Sequence, residues 1–250
     1  MSNMICFQDV SLVYESKKST VKITDNLNIS LRVNDFTCIL GPSGCGKTTL
    51  LNVIAGFQFP SSGKIIIGSA SRNKFNPNIS YVFQGHNIFP WKTVKQNIAF
   101  GLGSSRIDDS LADRIDELAS KMGLAEYLDS YPDTLSGGLK QRVGVARALI
   151  SSPDVLLMDE PFASIDELTA HSLRTLLKDL YKEKPMTIVF VTHNIDEALE
   201  LGSRILVISK KPMQILLDER IEVASFMDTS SNLKLKSQIY KSLQFDSDEK

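Results

Sequence analysis

One stretch of this sequence has the residue types and the spacing to hold a phosphate chain. Gly41-Pro42-Ser43-Gly44-Cys45-Gly46-Lys47-Thr48 follows the pattern G-x-x-x-x-G-K-[ST]. Its glycines let the backbone wrap so that successive N–H groups point inward, making an anion nest at a helix N-terminus. In such a loop the Lys47 ammonium reaches the β- and γ-phosphates and the Thr48 hydroxyl ligates Mg2+. Thr49, next along, completes the candidate nucleotide contacts. The plain alternative is a glycine-rich turn whose lysine is merely solvated. Context decides against it, because the apolar strand Cys38-Ile39-Leu40 enters the loop and an apolar helix with Leu50, Leu51, Val53 and Ile54 leaves it. A second run, Val155-Leu156-Leu157-Met158-Asp159-Glu160, reads as a buried parallel strand delivering two carboxylates to its C-terminal edge, where α/β sheets bind ligands. Asp159 is placed to hold Mg2+, directly or through water. Glu160 points differently and suits an attacking water that must be oriented or deprotonated. An Asp-Glu pair also serves as a helix-capping turn, but beside a phosphate loop the catalytic reading prevails.

The elements that must position these groups follow from hydrophobic periodicity. Met4 to Val13, Leu27 to Val33, Phe36 to Leu40, Ile65 to Ile67 and Ile79 to Phe83 read as strands, with Pro60-Ser61-Ser62-Gly63 as a turn. Past residue 90 the character turns helical. Leu111, Ile115, Leu118 and Met122 fall at helical spacing with Gly123 as the stop, and Val145, Ala146 and Leu149 line a helix ending near Ser151-Ser152-Pro153. Strands return at Val155 to Met158, Thr187 to Val191 and Ile205 to Ile208, with a helical stripe of Leu173, Leu176, Leu177 and Leu180 between the first two. Near-continuous apolar strands alternating with helices argue for a parallel sheet covered on both faces. The expectation is an α/β core spanning residues 1–227, with a mostly helical insertion over roughly 88–150 and a short polar tail over 228–250. No internal repeat is visible.

Length and composition exclude several classes. At about 150 residues per domain, 250 residues make one large domain or one domain with an insert. Hydrophobic residues at 42% and charged residues at 23% suit an ordinary globular chain with a sizeable core. Twenty-eight basic against 29 acidic residues leave a net charge of −1, so nothing global points to nucleic acid or to an acidic membrane surface. The opening MSNMICFQDV lacks a charged stretch followed by an apolar one, and no secretory leader is expected. No apolar run approaches the roughly 18 residues that cross a bilayer. Cys6, Cys38 and Cys45 have no metal-like spacing, which suits a reducing compartment.

Between the phosphate loop and the acidic strand lies Leu135-Ser136-Gly137-Gly138-Leu139-Lys140-Gln141-Arg142. Read alone, it is a loop feeding a helix N-terminus. It closely resembles the signature sequence of the ABC-type ATPases, and with all three motifs in order the resemblance covers nearly the whole chain. It implies a P-loop NTPase core with a mostly parallel sheet, an N-terminal antiparallel β portion and an inserted α-helical subdomain. Smaller motifs carry over position by position. Gln84 matches the glutamine loop, which contacts Mg2+ or water and faces a transmembrane partner; by itself it is an exposed loop amide. Ala163-Ser164-Ile165-Asp166 matches the D-loop, with Ile165 where leucine is common. His193 matches the switch histidine that approaches the γ-phosphate; a lone histidine after a strand is more often structural or exposed, so this assignment rests on the resemblance. Tyr14, with Val21 beyond a polar loop, matches the position that stacks on adenine, and is otherwise a strand-end aromatic. The resemblance further implies two ATP molecules trapped in a head-to-tail dimer, each faced in trans by Ser136, Gly137 and Gly138 of the other subunit. A thiol at a helix N-terminus gains thiolate character, which predicts that alkylating agents inactivate through Cys45 and that ATP protects.

Three roles for such an ATPase compete: the energising subunit of an importer, an exporter ATPase, and a soluble ATPase acting on other machinery. The stretch Gln84-Gly85-His86-Asn87-Ile88-Phe89-Pro90-Trp91, continued through Thr93 to Leu102, resembles the nitrate, sulfonate and taurine importer group. Phe89 and Trp91 also suit simple packing at the base of the insert. The importer reading implies transmembrane permease subunits, a second copy of the ATPase, an extracytoplasmic solute-binding protein acting indirectly, and a peripheral place on the cytoplasmic face of the membrane. It implies no nucleic acid partner.

Overall fold

The computed structural model describes residues 3–15, 20–68, 70–71, 79–103, 107–221 and 229–248. The polar loop expected between Tyr14 and Val21 lies largely outside them, as do the two ends of the expected tail, Asp228 and residues 249–250. In chain order the elements are β1 (Asn3–Glu15), β2 (Thr20–Arg32), β3 (Phe36–Leu40), α1 (Lys47–Ala55), β4 (Ser62–Ile67), β5 (Ala70–Ser71) and β6 (Ile79–Val82). There follow α2 (Val94–Ala99), α3 (Asp109–Lys121), α4 (Gly137–Leu149), β7 (Val155–Asp159), α5 (Glu167–Glu183) and β8 (Thr187–Thr192). The chain closes with α6 (Ile195–Leu201), β9 (Arg204–Ile208), β10 (Ile215–Arg220) and α7 (Thr229–Asp248). These elements fall into two units, one built from Met1–Asn76 with Met186–Lys250 and the other from Pro77–Pro185.

The first unit holds an antiparallel sheet in the order β2-β1-β4-β5 and a run of strands in the order β10-β9-β3-β8. In β2, Leu27, Ile29 and Leu31 are buried and alternate with exposed neighbours, the pattern of a strand with one wet face. The strand begins seven residues before the expected Leu27, because its first half carries polar residues and an exposed Lys22–Asp25 pair rather than an alternating apolar face. Strand β3 lies parallel between β8 and β9, and all three are buried at every position. That is why their sequences read as unbroken apolar runs. Strand β10 pairs antiparallel with β9, and Asp218 of β10 receives Nε and Nη2 of the buried Arg204 at 2.7 and 2.6 Å. The guanidinium holds the Asp218 carboxyl below its usual range.

The polar C-terminal stretch forms the helix α7. It lies against α6, β9 and β10, with Ile239 fully buried and Leu235 and Leu243 half-buried one turn to either side. Lys236 pairs with Asp196 of α6. Four-residue spacing of three aliphatic side chains suffices to dock a helix whose average composition is polar.

The second unit sets β6 parallel to β7, with Ile79 opposite Val155 and Val82 opposite Met158. The stretch read as helical supplies α2, α3 and α4. Asp108 caps α3 by accepting the N–H of Leu111 at 2.9 Å, and Thr93 and Gln96 form a reciprocal capping box on α2. On α3 the buried face is Leu111, Ile115 and Ala119, and Gly123 follows the C-cap Met122 as expected. On α5, Ala170, Leu173 and Leu177 are buried while Leu176 and Leu180 flank them.

Candidate nucleotide-binding site

In the first unit the phosphate loop leaves β3 and enters α1. Gly46 is the N-cap of α1, with φ of 116°, and no side chain caps this helix end. The orphan N–H groups of its first turn are therefore available to an anion, favoured by the helix dipole. A Cβ on Gly46 would stand 2.5 Å from Cγ2 of Ile23 and 3.1 Å from Cε of Met213. Backbone conformation and crowding both demand glycine here. Lys47 is buried, and its Nζ donates to the carbonyl oxygens of Gly41 at 2.8 Å and Pro42 at 3.1 Å. The ammonium thus stands inside the loop. Thr48 is exposed on the first turn of α1, as a hydroxyl ligand must be.

Two further candidates belong to this unit. Tyr14 and Val21 are register partners across β1 and β2, and both side chains are exposed. The Tyr14 hydroxyl donates to Oε1 of Gln58 at 2.6 Å and stands 3.5 Å from Oγ1 of Thr49, so the ring is held beside the first turn of α1. His193 is exposed immediately after β8. Leu40 and Thr192 are register partners, so Gly41 and His193 leave the parallel strands side by side. The structure therefore gathers the phosphate loop, the Tyr14–Val21 pair and the histidine within the first unit, Tyr14 through Thr49 and Gln58 and His193 through the end of β8.

The second unit carries the acidic pair. Asp159 ends β7 at 4% exposure, with the Tyr81 hydroxyl of β6 donating to its Oδ2 at 3.4 Å. Burial, and then the Asp159 charge, push the Tyr81 phenol well above its ordinary range, which keeps it a proton donor. Glu160 is half-buried and has φ of 42°. A left-handed non-glycine residue costs about 1 kcal/mol and points its side chain away from the line of the strand. Gln84 is exposed two residues beyond β6, on the strand next to β7.

Ser136 caps α4 by accepting the N–H of Leu139 at 3.3 Å. Gly138 is packed so closely on α5 that a Cβ would overlap Cγ2 of Thr169, while Gly137 faces His86 and Ile165. Asp166 caps α5 through the N–H of Thr169 at 3.0 Å, and that bond lowers its carboxyl. Signature and D-loop residues are thus neighbours within this unit. Sequence reasoning did not single out Gln58, Tyr81, Thr192 or Glu197. Each acts through side-chain hydrogen bonding to residues remote in the chain or within a turn or so, a relation that no local pattern announces.

The structure corrects one expectation. Cys45 is 2% exposed, so burial shields the thiol that the helix N-terminus would activate. Maleimide is expected to modify the half-buried Cys6 first and Cys45 only slowly, as read by mass spectrometry of peptides from a timed reaction.

A model of the ABC transporter family matches residues 24–163. The chain belongs to the ABC transporter family. The aliphatic sulfonates import ATP-binding protein SsuB of Bacillus cereus is 36% identical over 243 residues, covering 96% of each chain. Its counterpart in Bacillus subtilis is 39% identical over 86% of this chain and 83% of its own length. Among solved structures, a dimeric ATP-binding cassette in a post-hydrolysis state bound to ADP and Pi superposes with a TM-score of 0.76 at 29% identity, covering 88% of this chain and 99% of its own. Another, cbiO1 from Clostridium perfringens, part of the ABC transporter complex cbiONQ, gives 0.78 at 25% identity over 96% and 99%. The cassette is accordingly an ATPase, with the α/β architecture of the family. No helix among its described residues is long and apolar enough to cross a membrane.

Proposed function

We propose that the cassette is the ATP-hydrolysing subunit of a membrane importer for a small sulfonate-like solute, working as a head-to-tail pair on the cytoplasmic face beneath permease subunits. The observation that carries the membrane partner is an open cleft of about 560 Å3 in the second unit, lined by Tyr81, Phe83, Phe89, Phe100 and Arg147. Phe89 packs on Phe100 at 4.6 Å and on Trp91 at 5.5 Å, and Trp91 is 70% exposed at its side. That exposure favours docking of a partner over packing of the insert alone as the role of Trp91. The Arg147 guanidinium lies 5.5 Å over the Phe89 ring, and no carboxylate among the described residues pairs with it. Exposed aromatics around a half-buried cation suit a docked helix that brings apolar side chains and one acid. The likeness to sulfonate import proteins supports the direction of transport and the solute class. A solute-binding protein outside the membrane completes this reading.

In the chemistry we propose, the phosphate-loop N–H groups and Lys47 hold the β- and γ-phosphates, while Tyr14 and Val21 support the base. Ser136, Gly137 and Gly138 of a second copy close over the same phosphates. Glu160 orients and deprotonates the attacking water, and His193 stabilises the γ-phosphate charge. Thr48 of the first unit offers a hydroxyl oxygen, and Gln84 and Asp159 of the second an amide and a carboxylate oxygen; each is the hard kind of donor that Mg2+ takes beside phosphates and water. When bound, Mg2+ neutralises charge on the phosphate oxygens.

Trp91→Ala is expected to leave ATP affinity unchanged and to lower recovery of the membrane partner about tenfold or more. The test is a pull-down of tagged cassette from its own membranes in mild detergent with ATP, with partners identified by mass spectrometry. A multi-span protein lost in the variant supports the docking surface. Recovery of soluble partners or ribosomes alone overturns the importer reading.

A further inference from the structure

The exposed His193 sits between two residues tied down by one shared hydroxyl. Thr192, the last residue of β8, is 2% exposed. Its Oγ1 donates to Oε2 of Glu197 at 2.6 Å and accepts the backbone N–H of Asn194 at 3.0 Å. Asn194 caps α6 in turn, its Oδ1 accepting the N–H groups of Asp196 at 2.9 Å and Glu197 at 3.4 Å. The chain is therefore clamped on both sides of His193 by the first turn of α6. Glu197 is itself buried, at 8% exposure. Burying a carboxylate is costly, and a neutral acceptor of the same shape would satisfy a threonine hydroxyl at lower cost. What the charge adds is a shorter, stiffer bond. Stiffness at this turn matters to what the turn carries, which is His193 beside the phosphate loop.

We propose that Thr192 and Glu197 are positioning residues that fix His193 for hydrolysis, an inference that rests on His193 contacting the γ-phosphate. They act through the histidine and not on the nucleotide. Steady-state ATPase kinetics of the purified cassette with Mg2+ and ATP test this, each variant first checked for its fold by circular dichroism. Thr192→Val is expected to lower kcat about tenfold with KM unchanged, the scale of one lost charge-assisted hydrogen bond expressed in the transition state. Thr192→Ser, which keeps the hydroxyl, is expected to restore kcat. Glu197→Gln keeps an acceptor but not its charge, and is expected to lower kcat about threefold. It serves as the second probe if Thr192→Val does not fold. In a His193→Ala background neither substitution is expected to lower kcat further. Equal losses in both backgrounds, or no loss in either, overturn the positioning role while leaving His193 in place. Wild-type turnover by His193→Ala alone overturns the role of the histidine and this inference with it.

Discussion

Glu160→Gln is expected to bind ATP with near-native affinity and to hydrolyse it at least about 100-fold more slowly, the usual scale for loss of a general base. The substitution is isosteric, so the half-buried position and the left-handed backbone at φ of 42° are kept, and only the proton-accepting charge is lost. Asp159 next to it is a poor substitute. It is 4% exposed and engaged by the Tyr81 hydroxyl, whose own proton is held tightly. Single-turnover hydrolysis gives the rate, and gel filtration with and without ATP shows whether the uncleaved nucleotide accumulates a dimer. Near-normal turnover would move the base to another residue. A slow variant that stays monomeric with ATP would retain the base assignment and remove the head-to-tail pair.

Gly46→Ala is expected to weaken nucleotide binding more than about 100-fold and to lower the melting temperature by several degrees. Two separate costs meet at this position. The backbone φ of 116° lies where residues with a Cβ are essentially not found. The added methyl would also stand 2.5 Å from Ile23 Cγ2, so the loop must move to admit it. Gly44→Ala is the informative control, because its φ of 76° carries strain but a Cβ there meets nothing within 4 Å. That variant is expected to lose about fivefold in affinity, the equivalent of roughly 1 kcal/mol of left-handed strain. Titration calorimetry with ATP and a thermal melt of each variant separate the two costs. If Gly46→Ala binds like wild type, the backbone of this loop is not the phosphate cradle.

The parts of the fold legible in the sequence are those whose burial leaves a periodic or continuous mark. Phe36–Leu40, Val155–Met158, Thr187–Val191 and Ile205–Ile208 lie within strands buried at every position, and a wholly buried strand has no choice but to read as apolar. The phosphate loop was legible because glycine is forced by the backbone itself. Three elements were not. The first half of β2 is held by pairing with β1, which asks for backbone hydrogen bonds and no apolar alternation. Strand β10 lies at the end of its strand order, held by its backbone ladder to β9 and by the Arg204–Asp218 pair, and none of its residues is buried, so it leaves no apolar mark. Helix α7 presents one deeply buried residue, Ile239, among polar ones. The candidate site divides in the same way. Residues that offer a group to a ligand sit in motifs, whereas Gln58, Tyr81 and Glu197 serve other side chains and are visible only once the chain is folded.

The position of Trp91 has a practical consequence. It is the chain's single tryptophan, 70% exposed, and it lies in the second unit while the phosphate loop, Tyr14 and His193 lie in the first. Excited beyond the absorption of the six tyrosines, the protein therefore emits from one largely exposed indole, expected to be red-shifted and open to collisional quenchers. Any surface that covers the aromatic cleft shifts that emission to the blue and shields it, which gives the cassette a built-in optical reporter of docking that needs no label.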